Sequence, residues 1–260
     1  MTTLHFFNVI NTRMRKQHIS DHEPVIEHDV MSWNIMMQGK YNQEKNRYNN
    51  GLELVETQAQ YQQRLKKIAA AMADICKSNP HIQVICLQEA PILKEDVEFF
   101  TDCCLSYKSL QKFAETLRDE NVLTSWGLMS LFNGERYSYM SKPFSSEGLD
   151  ARVQKFKLVH QEDGTKRTVI NLHLPFDKAK KDPGSLADEV TKMVKKKSIE
   201  SKKEVMIAGD FNFPVTKFSA LHQLGSVRAP KHNSTETHSA NGGFNTLESV
   251  DAIIRVSPSS

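Results

Sequence analysis

Six short stretches of this chain carry residues suited to chemistry on a phosphate group. Glu89 closes an apolar run, Val84-Ile85-Cys86-Leu87, where a carboxylate is costly unless it is paired or holds a metal. Asn34 follows Trp33 at the end of a second run, and offers a neutral amide. Asp210 and Asn212 stand in Gly209-Asp210-Phe211-Asn212, after Val205-Met206-Ile207-Ala208. There Gly209 is expected to let the backbone turn sharply, and strand alternation to point both polar side chains the same way. His173 is flanked by Leu172 and Leu174, Asp251 follows Val250, and Ser20-Asp21-His22-Glu23-Pro24 lies near the start of the chain. Hydrolysis of a phosphoester needs a hard cation on oxygen ligands, a base for water, and donors for the phosphoryl oxygens. Histidine, titrating at about 6.5, suits the second task at neutral pH. Taken singly, each stretch has an ordinary explanation: a strand-end acid, a turn asparagine, a chance Gly-Asp turn, a core histidine, a polar turn before a strand.

Their order is more informative than any one of them. Read as a ring starting at Trp33, the chain gives Asn34, Glu89, His173, Asp210-x-Asn212, Asp251 and then Ser20-Asp21-His22. This order resembles the endonuclease/exonuclease/phosphatase superfamily, whose fold is typified by DNase I. In that superfamily Ser-Asp-His lies near the C-terminus, whereas here it precedes the first of the central strands. The resemblance, covering about Leu4 to Val256, therefore implies a circular permutant, in which the family's last strand, from Pro24, runs into its first, from Val30, through His28-Asp29. Domain termini that lie close together make such a rearrangement tolerable. The rival account is a truncated chain that has lost its final histidine.

The resemblance also implies roles. Glu89 would be the main ligand of Mg²⁺ or Mn²⁺, with Asp21 a second. His22 would activate water, held in its tautomer by Asp251. Asp210 would position the water, and His173, Asn34 and Asn212 would bind phosphoryl oxygens. Arg152, Lys142 and Tyr139 are candidate substrate contacts. The implied fold is α/β: a four-layer α/β sandwich of two packed mixed β-sheets flanked by helices, in one domain spanning residues 1–260.

The elements that must position these residues are readable from periodicity. Strands are expected at Leu4–Asn11, Pro24–Glu27, Val30–Met36, Val84–Leu87, Trp126–Phe132, Val153–His160, Thr165–Leu174, Val205–Ala208 and Ser249–Val256. Val153–His160 and Thr165–Leu174 should form a hairpin around Glu162-Asp163-Gly164. Apolar residues at Tyr61, Leu65, Ile68, Met72 and Ile75, three or four apart, predict a helix from Leu54 to Lys77 that Asn79-Pro80 stops. Further helices are expected at Asp96–Ser106, Ser109–Glu120, Leu186–Glu200 and Phe218–Leu224. Gln38–Gly51, Asn133–Leu149 and His232–Asn245 read as loops, and would set substrate choice.

Composition excludes little else. At 260 residues, 39% hydrophobic and 25% charged, the chain suits one globular α/β domain. No apolar run is long enough to span a bilayer, and the N-terminus lacks the charge-then-apolar order of a signal peptide. Four cysteines without zinc-ligand spacing suit a reducing, cytoplasmic setting, with non-classical export left open. A monomer is expected. The net charge of +3 is not that of a nucleic-acid coat. The lysines of 178–181 and 192–203 form either a solvated helix face or an electropositive rim.

Two signatures of inositol polyphosphate 5-phosphatases are absent, since Glu248-Ser249-Val250-Asp251 replaces Trp-Cys-Asp-Arg and no arginine follows Asn212. Their absence weakens that assignment. Asp210-Phe211-Asn212 with a proline soon after resembles the nuclease and deadenylase-like branches and some sphingomyelinases. Nucleic acid is the expected phosphoester substrate, ahead of a lipid or inositol phosphate. A phosphatase or phospholipase-type hydrolase, and a catalytically silent binding module, are the alternatives. The second is disfavoured because buried carboxylates without a metal would burden the fold.

Overall fold

A computed structural model describes residues 24–37, 56–119, 122–124, 126–139, 144–145, 152–201, 204–213, 215, 221, 223, 226–228 and 251–256. The expected strand at Leu4–Asn11, the Gln38–Gly51 and His232–Asn245 loops, and most of Phe218–Leu224 lie outside them.

Two mixed sheets face each other. The first has the order β1 (Val25–Glu27), β2 (Val30–Asn34), β3 (Val84–Gln88), β4 (Met129–Phe132). Strand β1 is antiparallel to β2, β2 parallel to β3, and β3 antiparallel to β4. The second sheet runs β10 (Ser226–Arg228), β11 (Asp251–Val256), β9 (Glu204–Asp210), β8 (Lys166–His173), β7 (Val153–His160), β5 (Tyr137–Tyr139), with β6 (Phe144–Ser145) also on β7. Only its β8–β9 pair is parallel.

Helices cover both outer faces. α1 (Gln58–Ser78) and α2 (Lys94–Leu105) pack on the first sheet with a 3₁₀ segment, Lys108–Phe113, and the single turn α3 (Ala114–Leu117). α4 (Phe176–Lys181) and α5 (Pro183–Ser201) cover the second. Thr57 caps α1 in a reciprocal box with Gln60, each side chain bonding the other's backbone N–H.

Alternation sorts the side chains into three apolar layers. Met31, Trp33, Ile35, Ile85 and Leu87 face α1. Ile170, Leu172, Val205, Ile207, Ala252 and Ile254 face α5. Between the sheets lie Val25, Val30, Val84, Cys86 and Phe132 against Phe156, Leu158, Val169, Met206, Ala208 and Ile253. These central strands are apolar on both faces because both faces are buried.

Four expectations are corrected. Asn133–Leu149 contains β5 and β6 rather than being a loop throughout; strands of three and two residues are too short to show a period. Ser109–Glu120 is not one helix but the 3₁₀ segment followed by α3. Trp126 is not in a strand: it sits in a turn, and β4 begins at Met129. Leu186–Glu200 is part of a longer helix from Pro183, preceded by α4.

All four cysteines are free. Burial pushes the Cys76 thiol up to about 11 and that of Cys86 up to about 12. Such thiols stay protonated and inert at neutral pH.

Candidate active site at one end of the sandwich

The two faces that meet between the sheets change character at one end. On the inward positions, Val30 gives way to Ser32 and Asn34 on β2, Val84 and Cys86 to Gln88 on β3, Val169 to Asn171 and His173 on β8, and Ala208 to Asp210 on β9. Register aligns the ends. His173 pairs with Asp210 across β8 and β9, and Asp210 pairs with Asp251 across β9 and β11. Directly paired residues share one face, with Cα atoms about 4.5–5.5 Å apart in an antiparallel pair. One histidine and two carboxylates thus form a row across the second sheet.

Asn34 ties this row to the first sheet. Its Nδ2 donates one hydrogen to Glu89 Oε1 at 3.1 Å and the other to Asp210 Oδ2 at 2.9 Å. Its Oδ1 accepts from Met36 N at 3.0 Å. The amide is therefore held between two carboxylates from opposite sheets. His173 Nε2 stands 3.8 Å from the same two oxygens, Glu89 Oε1 and Asp210 Oδ2, in ion-pair rather than hydrogen-bond range.

Backbone geometry aims Glu89. It follows β3 in the left-handed region, φ 54°, a conformation that costs a non-glycine residue about 1–3 kcal/mol. Two contacts offset that cost: the Asn34 bond, and Met37 N donating to Oε2 at 3.0 Å. The Met36–Met37 segment is itself pinned, since Arg64 on α1 donates to Ile35 O at 2.7 Å and Met36 O at 2.8 Å.

Asn212 departs from the alternation expected for it. Strand β9 ends at Asp210, and Asn212 takes φ 55°. Its backbone N–H donates to Asp210 Oδ1 at 2.8 Å, and its Nδ2 to Leu174 O at 2.6 Å. It braces the aspartate and the end of β8. Gly209 also serves otherwise than expected. It is inside the strand, not in a turn, at φ 155°, and a Cβ there would lie 1.9 Å from Leu172 O.

Behind the site lies a buried polar floor that motif reading missed. Gln88 Nε2 donates to Asn171 Oδ1 at 2.7 Å, and Asn171 Nδ2 donates to Leu87 O, Met129 O and Ser130 Oγ. Ser130 Oγ donates to Gln154 Oε1 at 2.6 Å. The signal was a polar residue at every second position of otherwise apolar strands, as in Asn171-Leu172-His173.

Other expected site residues are placed variously. Arg152 is beside the site: its carbonyl accepts from His173 N at 3.0 Å. Tyr139 is elsewhere. It pairs with Leu158, five residues along β7 from Val153 and about 17 Å away. There it packs on Phe132 and bonds Asp119. Asp21, His22 and Lys142 lie outside the described residues.

Among the described residues no three His, Cys, Asp or Glu side chains group to enclose a metal. Mg²⁺ needs less, one or two carboxylates with water and substrate oxygens. Glu89, a hard oxygen donor 29% exposed at the rim, meets that requirement.

Comparison with solved structures places this architecture. An endonuclease/exonuclease/phosphatase family protein of Bacteroides thetaiotaomicron matches 92% of this chain and 85% of its own length, at 13% identity and a TM-score of 0.53. A mannosyl-6-phosphatase of the same organism covers 87% and 84%, at 15% identity and 0.53. An endonuclease/exonuclease/phosphatase of Bacteroides vulgatus covers 87% and 86%, at 12% identity and 0.50. No family model matches the sequence, and no curated protein matches it. The chain has the DNase I-like fold of the endonuclease/exonuclease/phosphatase superfamily.

Proposed function

We propose that the protein is a phosphoester hydrolase dependent on Mg²⁺ or Mn²⁺, a phosphodiesterase of nucleic acid, assembled from a circularly permuted chain. The observation that carries this reading is the Asn34 bridge between Glu89 and Asp210, in line with His173 and Asp251 at one end of the sandwich. It sets carboxylate oxygens, an imidazole and amide donors within one small volume, as phosphoryl transfer to water requires.

The direction of β1 supports the permutation. Val25 pairs with Ser32 and Glu27 with Val30, so the chain ahead of Val25 heads toward the end of β2 that carries Asn34. His22 is three residues before Val25, about 10 Å of extended chain. Strand β1 also packs across the sandwich against β11, whose first residue is Asp251.

A divalent cation at Glu89, with Asp21 as partner, would neutralise charge on the phosphoryl oxygens. The chain's own residues do the rest. His22, oriented by Asp251, takes the proton of a water that Asp210 positions in line with the leaving oxygen. The water oxygen bonds to phosphorus as the P–O ester bond breaks, the leaving alkoxide takes a proton from solvent water, and His22 returns its proton to solvent. His173 faces the phosphoryl oxygens, while Asn34 braces Glu89 and Asp210, and Asn212 braces Asp210 and the end of β8. Glu89 is fixed in advance by Asn34 and Met37, so little reorganisation accompanies the reaction.

The test is hydrolysis with Mg²⁺ of a panel: plasmid DNA, RNA, phosphoinositides, sphingomyelin and bis-nitrophenyl phosphate. Cleavage of nucleic acid is expected, falling about 10²–10⁴-fold in His22→Ala and in Glu89→Ala with folding retained. Phosphate released from an inositol lipid with nucleic acids intact would replace the nuclease by a phosphatase. Turnover unchanged in His22→Ala would remove the permutation.

A further inference from the structure

Large apolar side chains are exposed at only four described positions: Leu93, Tyr107, Trp126 and Phe176. Leu93 is four residues past Glu89, and Phe176 three past His173. Trp126, 46% exposed, is tied to both sides of the site. Its neighbour Gly127 packs so closely on the Glu89 loop that a Cβ would lie 2.8 Å from Ala90 O and 3.1 Å from Met37 Cε. Gly127 O in turn accepts from Ala90 N at 2.9 Å. On the other side, the guanidinium of Arg152 lies over the indole, its Cζ 5.0 Å from the ring centroid. Arg152 is the residue whose carbonyl accepts from His173 N.

Hydrogen bonds among Thr124, Gly127 and Leu128 hold the backbone that presents Trp126. Thr124 N donates to Leu128 O at 2.9 Å, Gly127 N to Thr124 O at 3.0 Å, and Thr124 Oγ1 accepts from Leu128 N at 3.2 Å. An aromatic ring costs little entropy to hold where its backbone is already fixed. Arg152 Nε is buried without a hydrogen bond among the described residues, and the guanidinium stacks on the indole. A flat aromatic face backed by a cation, one loop away from a candidate phosphoester site, suits a planar base joined to a phosphate.

We propose that Trp126, backed by Arg152, is the stacking platform for a nucleobase next to the scissile phosphate, so that the substrate is single-stranded nucleic acid. The inference rests on the hydrolase reading above and names its substrate. Arg152 supplies positive charge toward the adjoining phosphate, and Trp126 is a positioning residue that never meets the reacting atoms. Stacking of this kind tolerates any base, so cleavage depends on an unpaired nucleotide rather than on its identity.

The sequence offers a direct spectroscopic readout. The chain has two tryptophans, and Trp33 is 1% exposed in the core. Quenching of indole emission by a short single-stranded oligonucleotide therefore reports on Trp126. In the full-length protein, with metal chelated to prevent turnover, the oligonucleotide should quench wild type and not Trp126→Phe. With Mg²⁺ restored, Trp126→Ala should raise KM for the oligonucleotide by roughly 5- to 150-fold with kcat unchanged. Trp126→Phe should recover most of the loss. An unchanged KM in Trp126→Ala overturns the platform, as does quenching that persists in Trp126→Phe. Quenching by sphingomyelin vesicles but not by the oligonucleotide would overturn it in favour of a lipid surface. Specific quenching by the oligonucleotide in a protein that hydrolyses no phosphoester would uphold the platform and reject the hydrolase.

Discussion

A side chain on Gly209 has nowhere to go, because the carbonyl of Leu172 occupies the place of its Cβ. Gly209 thereby sets how closely β8 and β9 approach, and so how His173 lies beside Asp210. Gly209→Ala should destabilise the protein by roughly 2–5 kcal/mol, from overpacking and backbone strain together. A lowered midpoint in urea unfolding would register this, whereas an unchanged midpoint would mean the strands separate at little cost. Glu89, Met36 and Asn212 take the left-handed backbone without being glycine, at φ 54°, 59° and 55°. All three are at strand ends around the candidate site. Each is held by a hydrogen bond: Met36 and Asn212 donate their backbone N–H to Asn34 and Asp210, and Glu89 accepts from Asn34 and Met37.

Helix α1 does two separable jobs. Thr57 and Gln60 start the helix, while Arg64, one turn on, reaches the Ile35 and Met36 carbonyls and fixes the exit of β2. Thr57→Ala should cost about 1 kcal/mol of stability and leave turnover intact. Arg64→Ala should lower kcat/KM by about 10²-fold, because a shift of about 1 Å in the Met37 and Glu89 contacts suffices for that. Steady-state assays beside thermal melts separate the two, and equal turnover in both variants would deny Arg64 its positioning part. Such elements were unevenly legible in the sequence. The helix stood out because its apolar residues recur from Tyr61 to Ile75, about four turns, and the central strands because they are largely apolar. Strands β5, β6 and β10 were missed because two or three residues at a sheet edge carry no period. The residues at the strand ends could be named, but the polar floor of Gln88, Asn171, Ser130 and Gln154 could not. Which of two apolar-strand faces is inward is decided by the partner sheet, and a single strand does not contain that information. The paired direction expected for Asp210 and Asn212 failed for a related reason: alternation stops where the strand does, and β9 stops at Asp210.

The two ends of the sandwich differ in chemistry as well as position. At the end away from Glu89, Arg167 donates to both oxygens of Asp29 at 2.8 Å, clamping β8 to the β1–β2 turn. Close by, a cavity of ≈ 370 Å³ is lined by His28, Asp29, His81, Glu204, Met206 and Arg255, apart from the candidate site. Asp29→Ala leaves a buried guanidinium without its partner and should cost about 3–5 kcal/mol, with Asp29→Ala/Arg167→Met losing less than the sum of the singles. Urea unfolding of the three variants measures this; a loss under about 1 kcal/mol would make the clamp ornamental. Under the proposed permutation the opposite end is where the chain would close into a ring, since β1 begins beside the end of β2 that carries Asn34 and β11 begins at Asp251. The central claim is that His22 and Asp251 act there as one unit, although 229 residues separate them (251 − 22). A double-mutant cycle in kcat/KM tests it most directly. The account predicts that His22→Ala and Asp251→Asn each lower kcat/KM by about 10²–10⁴-fold, and that the double variant is scarcely worse than the poorer single. Losses that multiply, or a His22→Ala protein as active as wild type, would contradict it.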